Sequence, residues 1–194
     1  MRIHPALLAP PLLCWWMCFA NAPQQKPAPD EDNGGIVSGK DHAFGIVAPA
    51  GWVLDNTSAV PEGLHAVFYP KGGSWKRSPV VMYANAVHKG VATTRPLRAI
   101  IADDVSTFNK KSKTPTITDE PALITMKAEK KSVVKRFEDP SRNLYEVVAY
   151  IDEPKVVVML VLSADSAESL TAALPAFKDL VGSYFFITSD VREK

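Results

Sequence analysis

The sequence predicts an α+β fold: an α/β/α sandwich with a central, mostly antiparallel sheet of about six to seven strands and helices on both faces. Three observations lead there. Val156-Val157-Val158-Met159-Leu160-Val161-Leu162 contains no polar residue and four valines, too short for a membrane span and bounded by polar turns, so it reads as a strand buried on both faces. The strands that precede it are joined by connections of only a few residues, which makes successive strands antiparallel neighbours. Two segments carry apolar residues at helical spacing, and the element order β-β-β-α-β-β-β-β-α places one of them for each face of the sheet.

Three parts are expected along the chain. Residues 1–20 open with Arg2 and run almost wholly apolar from Pro5 to Ala20, the pattern of a secretory signal peptide cut after Ala20. Leu13 and Met17 precede Cys14 and Cys18, where lipid attachment requires a small residue, so lipidation is not expected. Residues 21–35 have no large apolar side chain and read as a disordered, Pro-rich tether. Residues 36–190 form a single globular domain. Phe44 to Ala48 reads as its first strand, closed by Pro49, and Pro49-Ala50-Gly51-Trp52 as a turn. Leu64 to Tyr69 and Pro79 to Val87 read as a hairpin around the loop Pro70 to Ser78, whose Gly72 and Gly73 supply positive φ. Pro96 opens a helix with Leu97, Ile100, Ile101, Val105 and Phe108 on its buried face and Asp103, Asp104, Lys110 and Lys111 turned to water. Strands follow at Ala122 to Met126, Val133 to Phe137, Leu144 to Ile151 and Val156 to Leu162. The closing helix starts at a capping box, Asp165-Ser166-Ala167-Glu168, buries Leu170, Leu174, Phe177, Val181 and Tyr184, and is kinked or divided at Pro175.

Phe44-Gly45-Ile46-Val47-Ala48-Pro49-Ala50-Gly51-Trp52 resembles the F-x-I-x-x-P-x-G-W opening of the PsbP-like and DcrB-like sandwich proteins, whose fold is similar to that of the nuclear-import cofactor Mog. Later elements agree in order, through Phe177 and Ser183-Tyr184-Phe185, so the resemblance spans about residues 36 to 188. It implies a compact, usually exported scaffold that binds partners, sometimes metal ions, and seldom catalyses. The motif is structural, and no functional residue transfers with it.

Composition excludes several classes. With 22 basic and 21 acidic residues the chain has a formal charge of +1, and losing Arg2 would balance it. That gives no electrostatic case for nucleic acid. Both cysteines fall in the targeting segment, so the mature form has no thiol chemistry. Gly34-Gly35-Ile36-Val37-Ser38-Gly39-Lys40-Asp41 nearly spells a phosphate-binding loop, but Asp41 replaces the magnesium-binding hydroxyl and a strand follows instead of a helix. No G-x-S-x-G elbow exists, and Asp103-Asp104 read as a solvated helix face, so no catalytic residue is assigned. Lys127, Lys130, Lys131, Lys135 and Arg136 form a basic hairpin diluted by Glu129 and Glu138, suited to solubility and edge protection. Asn56-Thr57-Ser58 is a glycosylation sequon.

Two sets of residues remain. Trp75, Lys76 and Arg77 put an aromatic and two cations on one loop, a pattern of partner-binding loops; alternatively Trp75 folds back to plug the sandwich and the cations keep the loop wet. His42, His65 and His88 form the alternative set, ligands for a divalent metal or residues of a metal-dependent enzyme if they converge across strand ends. The leading expectation is an exported, non-catalytic binding or assembly factor, secreted or periplasmic, with a protein partner in the cell envelope, no cofactor, no nucleic acid and no transmembrane anchor in the mature form. A purely structural envelope component is the remaining class.

Overall fold

The computed structural model describes residues 33–90, 95–125 and 129–191. The proposed signal peptide and most of the tether lie outside the described residues, as does Lys127. Among the described residues the fold is α+β: a seven-stranded antiparallel sheet, a three-stranded antiparallel sheet and two α-helices. The strands are β1 (Gly34–Gly39), β2 (His42–Val47), β3 (Trp52–Asp55), β4 (Ala66–Pro70), β5 (Val80–His88), β6 (Thr116–Glu120), β7 (Val133–Asp139), β8 (Leu144–Asp152), β9 (Val156–Ala164) and β10 (Phe185–Thr188). The helices are α1 (Leu97–Lys111) and α2 (Ala167–Ser183).

The valine-rich run is β9, and it sits at the centre of the large sheet, whose order is β3-β4-β5-β9-β8-β7-β6. Leu160 pairs with Ala84 of β5 on one side and Ala149 of β8 on the other. Strand alternation splits its side chains between two cores. Val156, Val158, Leu160 and Leu162 join a core with Leu170, Phe177, Leu180 and Val181 of α2, whereas Val157 and Val161 join one with Ile100 and Ile101 of α1. A strand apolar on both faces is what that position requires. The α2 face is covered by two elements together, because Phe44 and Ile46 of the small sheet (order β1-β2-β10) enter the same core.

Several expectations shift. Trp52 opens β3 instead of closing a turn, and Gly34 and Gly35, read as tether, begin β1. Asn33 anchors that start: its side-chain Nδ2 donates to Trp52 O (2.6 Å), its side-chain Oδ1 accepts from Leu54 N (3.3 Å) and its backbone carbonyl accepts from Ala48 N (2.9 Å), binding the β3 edge as a strand would. β4 begins at Ala66, after a 3₁₀ turn at Val60–Glu62 that leaves His65 outside the strand. The strand expected at Ala122 to Met126 is only a bridge, Ile124 to Lys131, and the edge is formed by Thr116–Glu120, a polar segment that an apolar criterion passes over. Pro175 does not divide α2. It is exposed, so the carbonyl left without a donor one turn earlier faces water. The cap of α2 is Ser166, whose Oγ accepts from Ser169 N (3.1 Å), so the partner three residues on is Ser169 and Glu168 only adds charge to the first turn. Tyr184 terminates α2 and Phe185 begins β10.

Candidate binding site beside the Trp75 loop

Residues 71–79 join β4 to β5, and they are not slack. Lys71 N donates to Gly51 O (2.8 Å), Gly73 N to Pro70 O (2.9 Å), Arg77 N to Ser74 O (3.2 Å) and Ser78 N to Ser74 O (3.0 Å). Gly72 takes φ 85°, the left-handed conformation that glycine adopts without strain. The result presents Trp75 half-buried and Lys76 and Arg77 exposed. Two contacts fix the indole. Its N–H donates to Glu62 Oε2 (3.1 Å), and its ring stands edge-on to Tyr83 of β5 with centroids 6.0 Å apart. Trp75 thus folds back onto the sheet while its two cationic neighbours project. Arg77 Nε also donates to Ser74 Oγ (3.3 Å), which limits its sweep.

Beneath that contact lies a polar cluster the sequence reading missed. Tyr83, Glu146 of β8 and Tyr150 of β8 share the α1 face of the sheet, and the Tyr150 hydroxyl donates to Asp104 of α1. Asp104 was expected to face water. It instead lies four residues after Ile100 and three after Ile101, inside the buried stripe, so the helical spacing itself carried the signal. Burial pushes the Glu146 carboxyl up from its ordinary value; a Ser163 hydrogen bond opposes this, Asp104 adds to it, and Arg142 offsets it weakly. Burial likewise raises the Tyr83 and Tyr150 hydroxyls, with the Asp104 and Glu146 charges contributing, so both phenols are neutral donors at ordinary pH. Chemically this is a buried polar cluster in which Asp104 accepts from Tyr150, next to the Tyr83 ring that Trp75 stands against.

The three histidines do not all converge. His65 is exposed in the bend before β4. His42 and His88 do meet, at the start of β2 and the end of β5, with ring centroids 6.1 Å apart in edge geometry, and His88 Nδ1 lies 3.8 Å from Asp41 Oδ2. The 2.9 Å contact from His42 Nδ1 to Lys40 O makes Nδ1 the protonated nitrogen, and burial lowers its pKa. Its other nitrogen, Nε2, lies against Gly39, 3.0 Å from where a Cβ there would sit. Lys155 Nζ also lies 3.4 Å from Asp41. Among the described residues no three His, Cys, Asp or Glu side chains are grouped to hold a metal ion.

The basic hairpin is largely neutralised. Lys130 Nζ reaches the buried Glu153 (2.7 Å), which also accepts from the Tyr184 hydroxyl (3.0 Å), while Lys135 pairs with Asp119 and Arg136 with Glu120. Lys89 closes the same β8–β9 turn through Asp152 (2.6 Å) and the Glu153 carbonyl (2.5 Å). Glu153 was read as a turn residue and Lys130 as a solubilising one; a charge pair across a fold is invisible in either local window.

Fold and site together define a mixed α+β scaffold with a braced aromatic loop at one side of its sheet. No family model and no curated protein matches the chain. It is similar in backbone to cyanobacterial PsbP (CyanoP) of Synechocystis, at 12% identity and a TM-score of 0.49, over 86% of this chain and 100% of that one. It is also similar to a Pseudomonas aeruginosa protein of unknown function, at 12% identity and a TM-score of 0.40, over 78% of this chain and 95% of that one. Among the described residues no helix is long and apolar enough to cross a membrane.

Proposed function

We propose that the protein is an exported, non-catalytic binding or assembly factor of the cell envelope, and that it captures a protein partner through Trp75, Lys76 and Arg77. The observation that carries this reading is the bracing of Trp75 by Glu62 and Tyr83 while Lys76 and Arg77 project beside it. An aromatic already held in one rotamer loses little entropy on contact, and tryptophan and arginine dominate the binding energy of many interfaces. The loop's own hydrogen bonds extend that advantage to the backbone. The export part rests on the apolar segment from Pro5 to Ala20.

The test is photo-crosslinking of the full chain in intact envelope, with a reactive residue in place of Lys76 and, as a control, in place of Glu168 on α2. A discrete adduct is expected from position 76 only, and Trp75→Ala is expected to remove it while the melting temperature stays near that of the parent. Equal adducts from both positions, or an adduct indifferent to Trp75→Ala, would defeat the assignment.

A further inference from the structure

We propose that the cleft between α1 and β7 is a docking groove for an extended acidic segment of a partner protein. It is independent of the Trp75 reading: that loop contacts β5, and β9 and β8 lie between β5 and β7 in the sheet. The cleft has a volume of about 630 Å³. Its floor is Ile101, Ala102 and Val105, and Arg98, Lys110 and Lys135 are its charged groups. Arg98 and Val105 share a face of α1 with Ile101 at its edge, and Lys110 reaches the cleft from the last turn, so the groove runs along α1 with a cation toward each end. Lys135 enters from β7, two residues before Phe137, which packs on Phe108 with ring centroids 5.2 Å apart. It therefore lies on the same face of β7 as Phe137, toward α1.

Three features select the occupant. The charge is one-sided: no acidic residue lines the cleft, with Ser106 and Asn109 its other polar groups. Lys135 pairs with Asp119 at 2.6 Å, but Asp119 is 78% exposed, so an incoming carboxylate exchanges with it readily. The second feature is Arg98, which occupies the first turn of α1, where no acidic residue is present and where the helix dipole disfavours a cation. The helix dipole gives no reason for a positive charge there, whereas a charged ligand does. The third is length. Lys110 lies twelve residue steps along the helix from Arg98, about 18 Å, which matches roughly five to six residues of extended peptide. A shallow groove with cations toward both ends and an apolar floor suits acidic side chains flanking apolar ones. A lipid headgroup, with its charge at one point, matches that spread of cations less well.

The experiment uses the full chain and labelled synthetic peptides of about eight residues, acidic at both ends and apolar between, against the same peptides with lysine for each acid. Fluorescence anisotropy should show binding of the acidic set only, weakening as salt rises. The double variant Arg98→Glu with Lys110→Glu should lose at least about tenfold in affinity with its melting profile intact, and Ser106→Trp, which fills the groove, should do the same without changing charge. Vesicles of phosphatidylcholine and phosphatidylglycerol in equal parts are the second arm. Absence of acidic-peptide binding tighter than about 1 mM, binding unaffected by either variant, or vesicle binding that the charge reversal abolishes while peptides fail to bind, each overturns the proposal.

Discussion

The two faces of the large sheet are built differently. The α2 face is almost entirely apolar: Phe68, Met82, Leu160, Leu162, Phe177 and Leu180 are fully buried there, and the small sheet adds Phe44 and Ile46. The α1 face is mixed. Val148, Val157 and Val161 are packed under the helix, but Asp104, Glu146, Tyr83 and Tyr150 occupy the same surface, and a cationic cleft and a tryptophan loop flank it. The division suggests where each kind of work is done. One face supplies hydrophobic stability, which leaves the other free to carry buried polar groups whose desolvation costs free energy.

The largest effect should come from breaking the apolar face. Phe177 is fully buried in α2, and Phe177→Ala removes a ring from a core that two sheets and a helix hold in place and that cannot collapse around the gap. Urea unfolding should show a loss of about 3 to 5 kcal/mol with the denaturant slope unchanged. A loss below about 1 kcal/mol would mean the small sheet relaxes into the void and is not part of a rigid core.

The next effect tests the mixed face. Tyr150→Phe keeps the ring and deletes the donor to Asp104, so the expected cost is about 1.5 kcal/mol, the lower end for a bond to a charged acceptor because Asp104 is partly open to water. Asp104→Asn should move the Glu146 titration downward, since Asp104 is one of the influences raising it, although burial, the larger influence, remains. Carboxyl NMR of Glu146 reads this directly, and an unmoved titration would show that the two carboxylates do not sense each other.

The contrast also explains what was legible in the sequence. Val156 to Leu162 needed no context, because a strand buried on both faces writes an unbroken apolar run. The apolar stripes of α1 and α2 were legible for the same reason, since burial selects residue type at a fixed period. Asp104 was misassigned by residue type although its position in the α1 stripe was visible. Glu146 and Tyr150 were less legible still, because their significance depends on which strand receives which helix, and β9 reaches its place between β5 and β8 only after α1 and three strands have been laid down. Short edge elements were the least legible: β6 and β1 are held by one neighbour or by a side chain such as Asn33, and little burial shapes their composition.

A smaller, pH-dependent effect separates the histidine corner from both faces. Burial lowers the pKa of His42 below its ordinary 6.5, partly against the Lys40 hydrogen bond, with the His88 charge lowering it further and Asp41 raising it. In the unfolded chain His42 takes up its proton near 6.5, while in the folded one it resists, so the unfolded state binds more protons as pH falls from 6.5. The stabilisation is fully present above 6.5 and is lost progressively below it, down to the folded pKa. His42→Asn, whose amide can still donate to Lys40 O, should flatten the slope of stability with pH in this window. A slope that persists unchanged would show that His42 is not its source.

The smallest effect concerns the cationic cleft, and there the expected near-zero is itself informative. Arg98 lies in the first turn of α1 and Lys110 in the last, so the helix dipole disfavours the first charge and favours the second. Arg98→Glu alone should therefore stabilise by about 0.3 to 1 kcal/mol, and Lys110→Glu alone should destabilise by a similar amount. In the double variant the two changes oppose each other and leave stability within about 0.5 kcal/mol of the parent. Chemical denaturation of the three variants distinguishes this from a structural role for the cleft, because an arginine that held α1 against β7 would make Arg98→Glu destabilising. A stabilising Arg98→Glu would mean that the arginine is kept at a cost to the helix, which fits a group that meets its counter-charge on another molecule.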